Sequence, residues 1–170
     1  MLDSGVLMRR AVRWACEQSQ LSPDNLHHLP TAARDQLFEY CVVIRDDMEY
    51  NQLKYFRPFE HQKRFFATGA WPRRGILAAN RIGKTVSTCY EVAMHLTGYY
   101  PDWWQGRRFD HAVNVMVAGE GWQQVALVLQ NELLGTNDVK LVAHLGTGAI
   151  PLDCLIIDTM RSDEIGRAHV

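Results

Sequence analysis

The chain has 170 residues, 47% hydrophobic and 22% charged, with a formal net charge of −1. Such a balance excludes a disordered tract and a chain drawn onto nucleic acid by its overall field, and the length suits about one domain with a real core. The four cysteines, Cys16, Cys41, Cys89 and Cys154, stand far apart, and no stretch is long and apolar enough for a membrane span or a signal peptide. No disulfide framework or zinc site is therefore expected, and a reducing cytoplasm is.

Residues 4–19 read as a helix with Leu7, Ala11 and Trp14 on one face. Arg9, Arg10 and Arg13 form a basic cluster on it, either a solvated face or a contact for DNA or an acidic partner. Ser22-Pro23-Asp24 is turn chemistry. The adjacent His27 and His28 have no nearby carboxylate or thiol partner and read as solvated rather than metal-ligating. Thr31 is the expected N-cap of a second helix running to about Gln52, with Leu37, Cys41, Ile44 and Met48 as its apolar stripe.

Pro58 biases Arg57 away from helix, so a short helix is expected just after it. It carries Phe59, Glu60, His61 and Gln62. A carboxamide can donate to a ring nitrogen of adenine and accept from its exocyclic amine at once, and an aromatic ring can stack on the base. Gln62 and Phe59 are candidate adenine contacts on that ground; the plainer reading makes them one face of an amphipathic helix. Lys63-Arg64 and Arg73-Arg74 are basic pairs without an assigned role.

Residues 75–79 form a short apolar run that suits a buried parallel strand, and Ala78-Ala79-Asn80-Arg81-Ile82-Gly83-Lys84-Thr85 follows the pattern G-x-x-x-x-G-K-[ST], with Ala78 in place of the first glycine. Backbone N–H groups of Ala79, Asn80, Arg81, Ile82 and Gly83 would cradle phosphate at a helix N-terminus. The Lys84 ammonium would reach the β- and γ-phosphates and the Thr85 hydroxyl would ligate Mg²⁺. Val86, Tyr90, Ala93 and Thr97 continue at helical spacing to Gly98, a C-cap residue. ATP and Mg²⁺ are the expected cofactors.

Tyr99, Tyr100, Trp103, Trp104 and Phe109 are too many aromatics for a plain exposed loop and are expected to pin a crossover connection onto the domain. Arg107 and Arg108 are either solvated or contacts for DNA phosphates or a neighbouring subunit. Residues 112–118 read as the next strand and 122–134 as a helix with Val125, Val128 and Leu129 inward. Glu120 lies at the carboxyl end of that strand, the face where open α/β sheets place ligands, which makes it a catalytic candidate; the plainer reading is a turn or cap residue. Strand, helix, strand, helix predicts an α/β fold: an incomplete parallel sheet of the P-loop NTPase type with flanking helices, preceded by an N-terminal helical segment.

The segment from Phe59 to Gln62, the A-A-N-R-I-G-K-T loop, the stretch from Gly98 to Phe109 and Leu145-Gly146-Thr147-Gly148-Ala149-Ile150-Pro151 together resemble the ATPase domain of tailed-phage large terminase subunits, the motors that drive viral DNA into a capsid. The aromatic stretch is the most specific of these, since ordinary helicases lack it. The resemblance implies ATP hydrolysis coupled to DNA translocation, with Arg81 joining Lys84 in catalysis by sensing or stabilising the γ-phosphate. It implies as partners double-stranded DNA, a small terminase subunit, a portal protein and further copies of the chain assembled on the procapsid, in the host cytoplasm and off the membrane. A helicase-type translocase, or a nucleotide-binding module without hydrolysis, is the alternative.

In domain terms, residues 1–53 are expected as the helical segment and 54–164 as a partial ATPase domain. Residues 165–170 match one frame of a common short-read sequencing adapter and are expected to be a non-native tail. Such motors need an acidic strand end, Asp for Mg²⁺ and Glu for water. Asp158 has no Glu beside it and reads as non-catalytic, so that motif and the family's nuclease domain are expected beyond this stretch.

Overall fold

The computed structural model describes residues 4–136 and 142–156. Its first unit is a helical hairpin. Helix α1 (Ser4–Gln18) buries Leu7, Ala11 and Ala15, which recur every four residues. Helix α2 (Thr31–Tyr50) answers with Cys41, Ile44 and Met48. Trp14 is half-buried against Tyr55, edge to face at 4.8 Å. Burying a side chain the size of Leu7 or Met48 contributes about 1.5–3 kcal/mol. A 3₁₀ turn (Pro23–His28) joins the helices; its leading Ser22 hydroxyl accepts from the Asp24 N–H at 3.4 Å. Pro30, not Thr31, occupies the N-cap position of α2, and Thr31 is already helical. The fixed proline φ makes the entry, where a hydroxyl cap was expected.

Asp47 ties the hairpin to the chain that leaves it. Its carboxylate accepts from Asn51 at 2.5 Å, Lys54 at 2.7 Å and the Tyr55 hydroxyl at 2.5 Å. Burial alone would raise its pKa, but the bonds from Lys54, Tyr55 and Asn51 outweigh that and hold it below the usual carboxylate value. Burial, then Asp47, pushes Tyr55 up to about 12.

Tyr55 packs in the hairpin core and Leu53 in a second core, so the chain passes from one to the other over residues 53–55. The second core gathers Leu53, Phe66, Tyr90, Ala93, Met94, Trp104, Ala149 and Ile150. Helix α3 (Glu60–Ala67) contributes Phe66, and helix α4 (Lys84–Thr97) contributes Tyr90, Ala93 and Met94. Gly98, at φ +70°, ends α4 in the left-handed conformation that a glycine C-cap supplies. The 99–109 loop folds onto this surface: Trp104 is buried against Phe66, and Tyr100 stacks beside it. Arg107 and Arg108 lie over the rings of Phe109 and Tyr100. Tyr99 stays outside the cluster, 47% exposed.

The expected parallel sheet is not formed. Among the described residues there is no strand, only an isolated bridge between Thr147 and Pro151. The two apolar runs lie at the surface instead, with Leu77 fully exposed and Met116 92% exposed. The physical reason is that a strand leaves its N–H and C=O groups to a neighbour. A short apolar run therefore marks a strand only where a second one lies alongside, and neither 75–79 nor 112–118 has one among the described residues. The aromatic loop is accordingly no crossover between strands, although it does pin itself to α3 and α4.

The last helical stretch runs through α5 (Trp122–Gln124), a π-helical segment (Val125–Gln130) and α6 (Asn131–Leu134). Its inward residues are Ala126 and Gln130, whereas Val128 is 40% exposed and Val125 and Leu129 are half-buried. A face counted at 3.6 residues per turn drifts off target over a wider π turn. The segment 145–150 is buried and closes the end of α6: Ala149, Ile150 and Gly146 donate to the carbonyls of Glu132, Leu133 and Leu134. Asp158 and the 165–170 tail lie outside the described residues.

Candidate phosphate-binding site

The site residues expected from the sequence meet at the head of α4. Gly83 precedes the helix at φ +83°, and Arg81 holds φ +62° although it has a side chain. Two left-handed residues around Ile82 make a tight turn that delivers the chain into α4. No side chain caps the helix, so its first N–H groups and its positive dipole end are free to meet an anion. Lys84 folds back over this turn and donates to the carbonyls of Ala78 and Ala79, both at 2.8 Å. An ammonium has three N–H donors, so one remains for an anion. Thr85 sits half-buried in the first turn; Ser87 behind it donates its hydroxyl to the Gly83 carbonyl at 2.8 Å.

Helix α3 grips the turn from the side. The His61 Nε2–H donates to the Ile82 carbonyl at 2.8 Å, which fixes the ring's tautomer because a carbonyl can only accept. Gln62 is 4% exposed. Its Oε1 accepts from the Phe59 N–H at 2.8 Å, closing the first turn of α3, and its Nε2 makes a long 3.5 Å contact to the Gly83 carbonyl. A Cβ on Gly83 would stand 2.8 Å from that nitrogen. Both ends of the amide are thus engaged, and a base edge would have to exchange with these partners. Phe59 is 71% exposed, its ring nearly parallel to His61 at 5.8 Å. His61 had no expected role of its own, although its place beside Gln62 was the available signal.

The segment entering the loop is tethered from below. Arg74 pairs with Glu91 of α4 and donates to the Phe65 carbonyl at 3.3 Å. His95 lies 3.5 Å from the same carboxylate, and its Nδ1 is 3.1 Å from the Tyr100 hydroxyl, which accepts from the Phe109 N–H at 3.1 Å. A buried carboxylate flanked by a guanidinium and an imidazole is compensated where a lone one would be costly. Lys63, Arg64 and Arg73 remain exposed.

The arrangement offers what a phosphate needs: a left-handed turn, an uncapped 14-residue helix and one lysine folded back over the turn. For Mg²⁺ the fit is that of a single hydroxyl, Thr85, which suits an ion that keeps waters and phosphate oxygens as its other ligands. Among the described residues no group of three or more His, Cys, Asp or Glu side chains could hold a metal ion, and no carboxylate pairs with residues 77–85. Glu120 is exposed, its N–H held by Gln124 at 3.0 Å. His27 and His28 are exposed, and among aromatic rings of the described residues they touch only each other. Cys16, Cys41, Cys89 and Cys154 are free thiols. Among the described residues no helix is long and apolar enough to cross a membrane.

No family model matches the chain, and no solved structure does. It is similar to the large terminase subunit of Salmonella phage P22, with 28% identity over 144 residues, covering 75% of this chain and 28% of that protein. The likeness supports a terminase-like relationship. The chain spans less than a third of that relative's length.

Proposed function

We propose that the chain is part of a phage DNA-packaging ATPase of the large-terminase type, and that residues 78–85 are its nucleotide-phosphate site. The observation that carries this reading is the left-handed turn at Arg81 and Gly83, held by His61 at the Ile82 carbonyl and overlaid by Lys84, which leads into an uncapped α4. The likeness to the P22 protein supports the packaging assignment.

Lys84 and the amides of Ala79 to Gly83 hold the phosphates of ATP, and Thr85 supplies one oxygen to Mg²⁺. Bound there, Mg·ATP brings a transferable phosphoryl group. Arg81, exposed on the turn, stabilises charge on it. Phe59 and Gln62 contact the base, Gln62 by exchanging its present partners. Duplex DNA, a small terminase subunit, a portal ring and further copies of the chain are the partners of the intact motor, in the host cytoplasm.

Titrating this chain with a fluorescent ATP analogue and Mg²⁺ tests the reading. Lys84→Ala should weaken binding by roughly 10- to 100-fold, as expected for a charge-assisted hydrogen bond to phosphate. Equal binding by the variant removes Lys84 from the site. Phosphate release by this chain alone should stay at background, because no carboxylate among the described residues stands at the loop to orient water.

A further inference from the structure

Three arginines from two parts of the sequence converge on one cavity away from the α4 turn. The cavity, of about 380 Å³, lies between α1 and the 55–59 segment and is lined by Arg10, Arg13, Arg57, Trp14, Phe56 and Phe59, with Glu17 at its edge. Arg57 is held in place: it donates to Glu17 at 2.6 Å and lies 4.5 Å over the Trp14 ring. Arg10 and Arg13 are exposed, one turn apart on α1, and make no hydrogen bond or ion pair among the described residues. Three guanidinium groups therefore face one carboxylate. Phe59, 71% exposed, offers an open ring at the rim.

We infer that this cavity binds single-stranded nucleic acid, with phosphates on Arg10 and Arg13 and a base stacked on Phe59. Cationic groups along a groove with an exposed aromatic beside them are the chemistry that holds unpaired strands. A duplex offers the arginines the same phosphates, but its bases are stacked inside and cannot reach Phe59. An acidic peptide would satisfy the charges and leave the ring unused. The site shares Phe59 with the proposed base contact of the nucleotide site but none of the phosphate turn, so Phe59→Ala is expected to weaken both ligands while the arginine and Lys84 variants separate them.

Fluorescence anisotropy of a fluorescein-labelled oligothymidine, with the whole chain at low salt, tests the inference. The chain should bind the oligonucleotide at least tenfold more tightly than a duplex of equal length. The double variant Arg10→Ala/Arg13→Ala should reduce the slope of log affinity against log salt by about 1.4, two phosphates at about 0.7 each. Phe59→Ala should weaken single-strand binding by roughly 5- to 150-fold, the range for losing one stacked base. Circular dichroism checks that these exposed substitutions leave the helices intact. Lys84→Ala should keep oligonucleotide binding while losing the ATP analogue, and the double arginine variant should do the reverse, so the two sites stand or fall separately. Absence of binding, equal affinity for duplex, displacement by polyglutamate as effective as by unlabelled oligothymidine, or an equal loss in Lys84→Ala would each overturn it.

Discussion

The helical hairpin and the loop-bearing body are held together by different means. In α1 and α2 the backbone satisfies itself, and a continuous apolar stripe does the packing. In the body, long irregular stretches leave carbonyls open, and individual side chains answer them: Gln52 to Thr147, His61 to Ile82, Lys84 to Ala78 and Ala79, and the Trp104 indole to Arg107. Stability in the hairpin is spread over many small contacts. In the body it is concentrated in a few polar bonds and aromatic anchors, and the candidate site is built from the same bonds.

Substitutions can break that contrast. The largest effect should come from Trp104→Ala, since the buried indole packs on Phe66, Tyr100 and His95. A loss of about 3–5 kcal/mol is expected, read by urea unfolding. A loss below about 1 kcal/mol would mean that the aromatic loop merely rests on the body.

Gly83→Ala and Gly98→Ala sharpen the point, because both glycines have positive φ and only one touches a side chain. A Cβ on Gly98 would meet nothing within 4 Å, so only the left-handed backbone penalty of about 1–2 kcal/mol applies there. Gly83 adds the collision with a Gln62 amide bonded at both ends, and should cost about 1 kcal/mol more. Thermal unfolding of both variants gives the difference, and equal losses would mean that Gln62 yields freely.

Asp47→Asn should cost about 1–2 kcal/mol near neutral pH by weakening its bonds to Lys54, Tyr55 and Asn51. The folded-state pKa of Asp47 is lowered, so its contribution is present above the unfolded carboxylate value of about 3.9 and is lost as pH falls through the folded value. Unfolding midpoints of wild type and variant should converge in acid; a constant gap would assign the effect to packing. The smallest change, Ile44→Val in the hairpin stripe, should cost about 1 kcal/mol and leave ATP-analogue binding untouched.

What the amino-acid order determined by itself is the set of helices and the composition of the turn. The stripe Cys41-Ile44-Met48, the Gly98 stop and the G-K-T at the start of α4 act within a few residues, where helix hydrogen bonds also close. Tertiary structure alone decided that 75–79 and 112–118 would lie exposed rather than pair, that the inward face of 122–134 would shift to Ala126 and Gln130, and that His61 would hold Ile82 across 21 residues. It also brought Arg57 to Glu17, 40 residues earlier, beside Arg10 and Arg13. Each of these depends on which segment lies alongside, and a periodicity counted along one chain carries no record of its neighbours.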